Sequence, residues 1–256
     1  MLSDIEITIK SELSDKIVHK DGLFFLNGRE QLVELRKARY KISFAHFRKA
    51  RKYLKGLRFI PFLRCVAISG SQALLNSDAK SDIDLFIITD KNRIWLARMF
   101  VSLYFQVLGQ RRHGGKIAAR FCLNHYLALN ALIEKDRNLY TAVEYASLVP
   151  ALGISEFRNF LRQNHWITDY LASPVFEASN NFFNIEFSRL QTFFEKILDW
   201  SVAPLLDRLL GHYQKKRIRM QEHILVSDSE LSFHPGSRGQ TVLARFQGEI
   251  RRLQAP

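Results

Sequence analysis

The hydrophobic residues of the chain recur with two different spacings, which predict alternating strands and helices. Short continuous apolar runs bounded by polar or glycine-containing turns are typical of buried strands, whereas apolar residues three or four positions apart are typical of helices. The middle of the chain predicts strand, short helix, strand, helix and strand over residues 64–69, 70–75, 81–89, 92–108 and 117–127. This order predicts a compact α/β unit.

The segments on either side of this unit have different patterns. Near the N-terminus, Asp21-Gly22 between two short apolar runs predicts a β-hairpin, and residues 30–57 predict a long amphipathic helix. From about residue 129 onward the apolar spacing is mostly helical. The predicted fold class is an α/β (α+β) core with a mixed sheet, followed by a mostly helical C-terminal region. The predicted parts are an appendage with the hairpin, the α/β domain with its leading basic helix, and the helical region, at residues 1–28, 29–135 and 136–256.

Basic residues outnumber acidic ones, and many lie in the predicted long helix. The chain has 38 Lys and Arg against 25 Asp and Glu, a formal net charge of +13. Such a charge attracts polyanions, including nucleic acids and nucleotides. No acid occurs between Glu34 and Asp78, so the sequence offers no nearby partner for the cations of residues 36–55. RNA or DNA binding through these residues is one hypothesis, and a solvated helix face is the alternative.

The cysteines and the hydrophobic segments bear on the compartment. Cys65 and Cys122 lie in apolar, strand-like runs, which predicts buried reduced thiols rather than a disulfide and agrees with a reducing cytoplasm. Residues 1–10 mix charges and show no secretory signal. The most hydrophobic stretch, residues 94–108, is shorter than the about 20 residues of a bilayer span. We therefore expect a cytoplasmic protein without a membrane partner.

The residues most indicative of chemistry are Asp82 and Asp84, at the start of the second predicted strand. Because side chains alternate along a strand, the two carboxylates project from one face while Ile83 projects from the other. Adjacent carboxylates repel each other and are costly to desolvate unless a cation lies between them. The pair therefore predicts a Mg²⁺ site, since this ion prefers carboxylates together with substrate phosphates. The alternative is an exposed strand end with two solvated acids.

A turn at Gly70-Ser71 precedes the carboxylates by one short helix and a return loop. Glycine lets the backbone approach a phosphate closely, and the N–H groups at a helix start favour negative charge. We therefore predict that Gly70 and Ser71 bind a nucleoside triphosphate, although an ordinary strand-to-helix turn has the same pattern. Lys80 and Ser81, just before the carboxylates, are further candidates for phosphate contact. For Lys80 the alternative is a solvated loop lysine.

The combination of an apolar strand, Gly-Ser, a spacer and an apolar-flanked Asp-x-Asp resembles the DNA polymerase β-like nucleotidyltransferase superfamily. The matching residues are 68–71 and 81–86, within an α/β pattern that covers about residues 60–130. A narrower resemblance, to bacterial proteins of that superfamily, involves residues 24–30, 120–126 and 164–167. The resemblance implies a metal-dependent nucleotidyltransferase that uses two Mg²⁺ ions. It would transfer a nucleoside monophosphate from a triphosphate to a hydroxyl, with pyrophosphate release.

The chain departs from that superfamily at one position. Its members usually bring a third carboxylate from a later central strand, but residues 117–127 contain no Asp or Glu. Asn124 is the nearest polar candidate for a catalytic role; its amide oxygen can ligate a metal, but the group is uncharged and a poor base. Either Asn124 suffices, or a distant acid such as Glu134 or Asp136 takes the role, or catalysis is weak or absent.

Three functions therefore remain open. The leading hypothesis is a nucleotidyltransferase whose acceptor the sequence does not identify. The second is a catalytically silent module of the same fold that binds a nucleotide or nucleic acid. The third is a toxin-like component that modifies RNA or a protein.

Overall fold

The computed structural model of the protein describes residues 2–171, 183, 185–218, 224–233 and 237–254. The strands are β1 (Ile17–Lys20), β2 (Leu23–Leu26), β3 (Leu63–Ile68), β4 (Ile83–Thr89), β5 (Phe121–Ala128), β6 (Val149–Leu152), β7 (Leu225–Val226) and β8 (Glu230–Ser232). The helices are α1 (Leu2–Glu12), α2 (Gln31–Leu54), α3 (Gly70–Ala73), α4 (Ile94–Val107), α5 (Leu139–Ala146), α6 (Ile154–Gln163), α7 (Arg189–Ser201), α8 (Ala203–Ile218) and α9 (Ser237–Gln254), with 3-10 segments at Lys55–Phe59 and His165–Asp169. The chain is a mixed α/β protein, as predicted.

The N-terminal hairpin forms where the sequence predicts it. β1 and β2 pair antiparallel, with Lys20 opposite Leu23. Asp21 and Gly22 connect them with φ angles of 53° and 76°, the left-handed conformation that a two-residue hairpin turn requires. The predicted long helix follows as α2 and continues into the first 3-10 segment.

Within the described residues, six strands form one sheet in the order β6-β3-β4-β5-β8-β7. β4 and β5 are parallel, and the other neighbouring pairs are antiparallel. The predicted mixed sheet is therefore confirmed. β6, β7 and β8 come from the region after residue 135, so that region is not purely helical and completes both sides of the sheet. The division of the chain into three parts stays a prediction.

The sheet separates two apolar layers. In β3, Val66 and Ile68 pack in the layer of α2 and α4, whereas Cys65 and Ala67 pack in the layer of α5 and α6. Burial on both faces explains why this strand is a continuous apolar run in the sequence. The two layers position the neighbouring ends of β3, β4 and β5, which carry the candidate site.

α4 is the apolar helix that the pattern predicts over residues 92–108, and it packs against β5 and α8. Trp95, Leu96 and Phe105 on this helix are almost completely buried. None of the helices in the described part of the chain combines the length and the apolar character needed to cross a lipid bilayer.

Candidate metal site

The structure places Asp82 directly before β4 and makes Asp84 the second residue of that strand. A backbone hydrogen bond from Ala119 N to Ser81 O, 2.8 Å long, joins this end of β4 to the segment before β5. Oxygens of both carboxylates and the sulfur of Cys122 lie within 4.8 Å of one another. Only 17% of the Asp82 side chain is exposed. The two acids thus form a cluster rather than a solvated strand end.

β5 forms one side of this acidic cluster. Asp84 is opposite Cys122 in the parallel register, and the next aligned pair is Phe86 with His125. Two residue steps along β4 therefore match three along β5, so β5 has one extra residue and forms a β-bulge. Such bulges change the direction of side chains and often lie beside functional sites. Asn124 lies in the bulge and donates a hydrogen bond from Nδ2 to Asp84 Oδ1. The Cys122 thiol donates to Asn124 Oδ1 at 2.7 Å.

Gly70 forms another side of the cluster. Its φ is +65°, and a Cβ built on it would lie 2.7 Å from Asp84 Oδ2. Ser69 N donates to the backbone oxygen of Asp84 at 3.0 Å, which joins the end of β3 to β4. Glycine is therefore needed here for two reasons, the left-handed backbone and the close approach of a carboxylate.

Burial and like charge control the protonation of Asp84. Removal from water raises the pKa of Asp84 to about 7, and the neighbouring Asp82 charge acts in the same direction. The hydrogen bond from Asn124 and the charge of Arg112 oppose this rise. Arg112 Nη1 also donates to Asp82 Oδ2 at 2.7 Å. The raised pKa shows that these groups do not fully compensate the buried acid, which favours binding of a cation.

The donor atoms fit a divalent cation. Within the described part of the chain, Asp82, Asp84 and Cys122 are the group of acidic, cysteine or histidine side chains that could hold a metal. Carboxylate oxygens suit Mg²⁺ and Mn²⁺, whereas the sulfur of Cys122 suits softer ions such as Zn²⁺. Burial raises the pKa of Cys122 to about 12. The metal-free thiol is therefore protonated, and its use as a ligand requires loss of that proton.

The other predicted nucleotide-binding residues differ in their surroundings. Ser71 lies in the first turn of α3, where backbone N–H groups have no acceptor within the helix. The Ser81 hydroxyl donates to Asp78 Oδ1 at 3.1 Å and accepts from Asp78 N at 3.0 Å, so it stabilises the loop before β4. Lys80 is exposed. Phosphate contact by these residues stays a prediction.

Some basic side chains of α2 donate hydrogen bonds to other segments of the protein. Arg36 donates to the carbonyl oxygens of Leu74 and Leu75, at 3.3 and 3.1 Å. Lys49 donates to Ala119 O at 2.6 Å. These contacts stabilise the segment after α3 and the segment before β5, both of which adjoin the acidic cluster.

Lys37 on α2 has acidic partners, so the prediction that this helix lacks nearby counter-charges is wrong for it. Lys37 Nζ lies 2.6 Å from Asp21 and 2.9 Å from Glu34. The first contact depends on how the hairpin packs on the helix, which the sequence pattern does not show. Nucleic-acid binding through residues 36–55 stays a prediction that depends on the exposed cations. These are Lys41, Arg48, Arg51, Lys52 and Lys55.

The two distant acids considered as replacements for a third carboxylate have other contacts. The Glu134 carboxylate accepts hydrogen bonds from the backbone of Asp136 and from the hydroxyl of Tyr145. Asp136 Oδ1 accepts from Asn138 at 2.9 Å, at the start of α5. Both acids therefore stabilise the loop before α5, and Asn124 remains the candidate for the third position.

Sequence reasoning misses Cys122 and Arg112. Cys122 is two residues before Asn124 on the same predicted strand, so alternation alone could have placed both beside the carboxylates. Arg112 lies in the loop between α4 and β5. Its contact with Asp82 depends on the path of that loop, which no local pattern indicates.

Comparison of the chain with family models, with curated proteins and with solved structures found no match. The resemblance to the nucleotidyltransferase superfamily therefore depends on the motif residues themselves, and any functional assignment depends on their arrangement in the site.

Proposed function

We propose that the protein is a metal-dependent nucleotidyltransferase of the DNA polymerase β-like type. The observation that carries this proposal is the acidic cluster itself, in which Asp84 lies between Gly70 and Asn124 and close to Asp82. A partly buried carboxylate pair is costly to fold unless a cation compensates it. The glycine turn beside this pair supports the proposal, because backbone N–H groups at a helix start favour phosphate.

Each residue of the site has a specific part in this proposal. Asp82 and Asp84 would hold the cation, with Cys122 within reach as a third donor. A divalent cation bound there would neutralise phosphate charge and favour departure of pyrophosphate. Gly70 and Ser71 would offer backbone N–H groups to the phosphates, because they begin a helix beside Asp84.

The proposed reaction joins an acceptor hydroxyl oxygen to the α-phosphorus of the triphosphate. The bond from that phosphorus to the bridging oxygen breaks, pyrophosphate leaves with the electron pair, and the hydroxyl proton is released to water. Asn124 binds Asp84 through its amide N–H. Its expected part is therefore to orient the carboxylate rather than to accept the proton.

The test is incubation with each labelled nucleoside triphosphate, Mg²⁺ or Mn²⁺ and a cell extract. The wild type should form a labelled product, and the double variant Asp82→Asn, Asp84→Asn should form none. Asp15→Asn is the control, because it neutralises an exposed acid of the N-terminal segment and should leave labelling unchanged. Equal labelling by the wild type and the double variant would refute the proposal.

A catalytically silent nucleotide-binding module is the second candidate, and Asn124 is the observation that favours it. An amide at this position supplies neither the charge nor the basicity of a carboxylate. Metal-dependent triphosphate binding without turnover, in both the wild type and Asn124→Asp, would support this candidate over the enzyme.

A further inference from the structure

A cavity of about 630 Å³ opens beside the acidic cluster, between α4, β5 and α8. Its volume falls within the range of about 300–1,000 Å³ that is typical of small-molecule sites. Its lining includes Cys122 and Asn124, which also belong to the cluster. Among its described lining residues there is no Asp or Glu, and four are arginines. These are Arg98, Arg111, Arg112 and Arg217.

Arg98 is a partly buried member of this arginine cavity, and its Nε is fully buried. Its guanidinium lies 5.0 Å from the centre of the Phe233 ring and donates to the amide oxygen of Gln214. Its Nε is buried and has no hydrogen-bond partner among the described residues. Burial lowers the pKa of Arg98, and the charges of Arg111 and Arg217 lower it further. Arg111 and Arg217 are therefore each close enough to repel the guanidinium of Arg98.

This repulsion is not relieved by acids. Arg112 pairs with Asp82, but in the part of the chain that the structure describes no ion pair includes Arg98, Arg111 or Arg217. Arg217 instead donates a hydrogen bond to the hydroxyl of Tyr213, one turn earlier on α8, at 3.3 Å. Uncompensated cations around one cavity favour an anionic ligand. Guanidinium matches phosphate especially well, because its planar donors form paired hydrogen bonds with the oxygens.

Gly70 and the cavity residue Asn124 approach different oxygens of Asp84. Asp84 Oδ2 lies against Gly70, whereas Oδ1 accepts from Asn124, which lines the cavity. The described lining does not include Gly70 or Ser71, the residues assigned to the triphosphate. The cavity is therefore available to a second substrate that approaches the acidic cluster from the β5 side.

We propose that the arginine cavity binds the phosphate group of the acceptor, a small phosphate-bearing molecule whose hydroxyl receives the nucleoside monophosphate. The assignment rests on the proposed function, because it takes the triphosphate to lie on the Gly70 side. The acceptor phosphate is held and not altered. The bond that forms joins the acceptor hydroxyl oxygen to the α-phosphorus, pyrophosphate leaves and the proton passes to water.

The first test is calorimetric titration of the metal-free protein with inorganic phosphate and with glycerol 3-phosphate. Both probes should bind saturably, and Arg111→Gln and Arg217→Gln should each weaken binding by about tenfold, since each removes a charged hydrogen-bond donor. Arg98 is left unchanged because its Nε is buried and it donates to the buried Gln214, so that loss of this side chain can unfold the protein. Arg208→Gln, an exposed arginine of α8 outside the cavity lining, is the matched control and should bind like the wild type. Absence of saturable binding, or an equal loss in the control, would overturn the proposal.

A second test distinguishes the acceptor from other ligands. Inorganic phosphate and a non-hydrolysable triphosphate with Mg²⁺ should bind at the same time; mutual exclusion would make the cavity the triphosphate site and overturn the assignment. Arg217-dependent binding of a 5′-phosphorylated oligonucleotide, without binding of glycerol 3-phosphate, would show that a nucleic-acid end is the ligand and that the small-molecule assignment is wrong.

The two proposals can fail separately. Arginine-dependent phosphate binding without nucleotidyl transfer in any extract would support an anion cavity and refute the proposed function. Transfer to an acceptor that lacks phosphate, at a rate unaffected by Arg217→Gln, would support the proposed function and refute the assignment of the cavity.

Discussion

Asp84 Oδ2 lies so close to Gly70 that a Cβ on the glycine would be 2.7 Å from it. The other oxygen of the same carboxylate accepts from the Asn124 amide. The carboxylate is therefore confined from two sides, by the backbone at the start of α3 and by a side chain of β5. A side chain at position 70 would have to displace Asp84, so the glycine turn and the acid form one structural unit.

Gly70→Ala is expected to destabilise the protein more than Gly28→Ala. The φ angles are +65° and +77°, so each alanine costs about 1 kcal/mol or more for its left-handed conformation. A Cβ at position 28 meets no atom within 4 Å, whereas a Cβ at position 70 meets Asp84. Urea unfolding and metal titration should show the larger loss of stability and weaker metal binding for Gly70→Ala. Equal effects in the two variants would show that the close approach is not needed.

Asn124→Asp should destabilise the metal-free protein by about 1–3 kcal/mol, because it removes a donor to Asp84 and adds a buried negative charge. A bound cation should offset this loss, so Mn²⁺ should raise the melting temperature more for the variant than for the wild type. Asn130→Asp introduces the same change at an exposed position and should respond to Mn²⁺ like the wild type. If Asn124→Asp has the same melting temperature as the wild type in the absence of metal, the electrostatic description of the cluster is wrong.

Cys122→Ser should weaken binding of Cd²⁺ or Zn²⁺ more than binding of Mg²⁺, because sulfur is a donor for soft ions and hydroxyl oxygen is not. The measurement is the ultraviolet absorption of the thiolate–Cd²⁺ bond in a titration. Cys65→Ala removes the other cysteine, which is buried in the core away from the acidic cluster, and should retain the absorption. Persistence of the absorption in Cys122→Ser would exclude this sulfur as a ligand.

The stability of the metal-free protein should fall as the pH rises through about 7. An unfolded aspartate loses its proton near its ordinary pKa of 3.8, but burial raises the pKa of Asp84 to about 7 in the folded protein. Between these values the folded state binds more protons, so its free energy of unfolding decreases with pH, by up to about 4 kcal/mol in total. Urea unfolding at about pH 5 and about pH 8 measures most of this change, about 3 kcal/mol. Asp84→Asn lacks the titrating group and is the control. If the wild type loses no more stability between the two pH values than this variant does, the prediction is contradicted.

Local patterns predict the parts of the fold and of the site that depend on a few neighbouring residues. The positive φ angles of Asp21 and Gly22 follow from a two-residue turn between apolar runs, and the structure has that turn. The side-by-side placement of Asp82 and Asp84 follows from the period of a strand, and their oxygens do lie together. In both cases the interacting residues are close in sequence, so no knowledge of tertiary packing is needed.

The parts that sequence reasoning misses depend on packing between distant segments. Cys122, which the sequence does not single out, reaches Asp84 because of the parallel register of β4 and β5. Asn124 is a candidate from the sequence, but the bulge that brings its amide to Asp84 is not predicted. β6 is a further case, since the mostly helical apolar spacing after about residue 129 predicts no strand there. The structure places Pro150 in this edge strand, where its missing N–H is tolerated.

The order of strands in the sheet has a consequence for synthesis of the chain. β3 and β5 are flanked by β6 and β8, whose residues are translated only after the whole acidic cluster has been made. Until then, the nascent chain on the ribosome presents two strands with unpaired backbone groups, which are templates for aggregation. Protection by chaperones during translation is therefore expected, and a truncated chain that stops at residue 135 should be insoluble even though it contains Gly70, Asp82, Asp84 and Asn124.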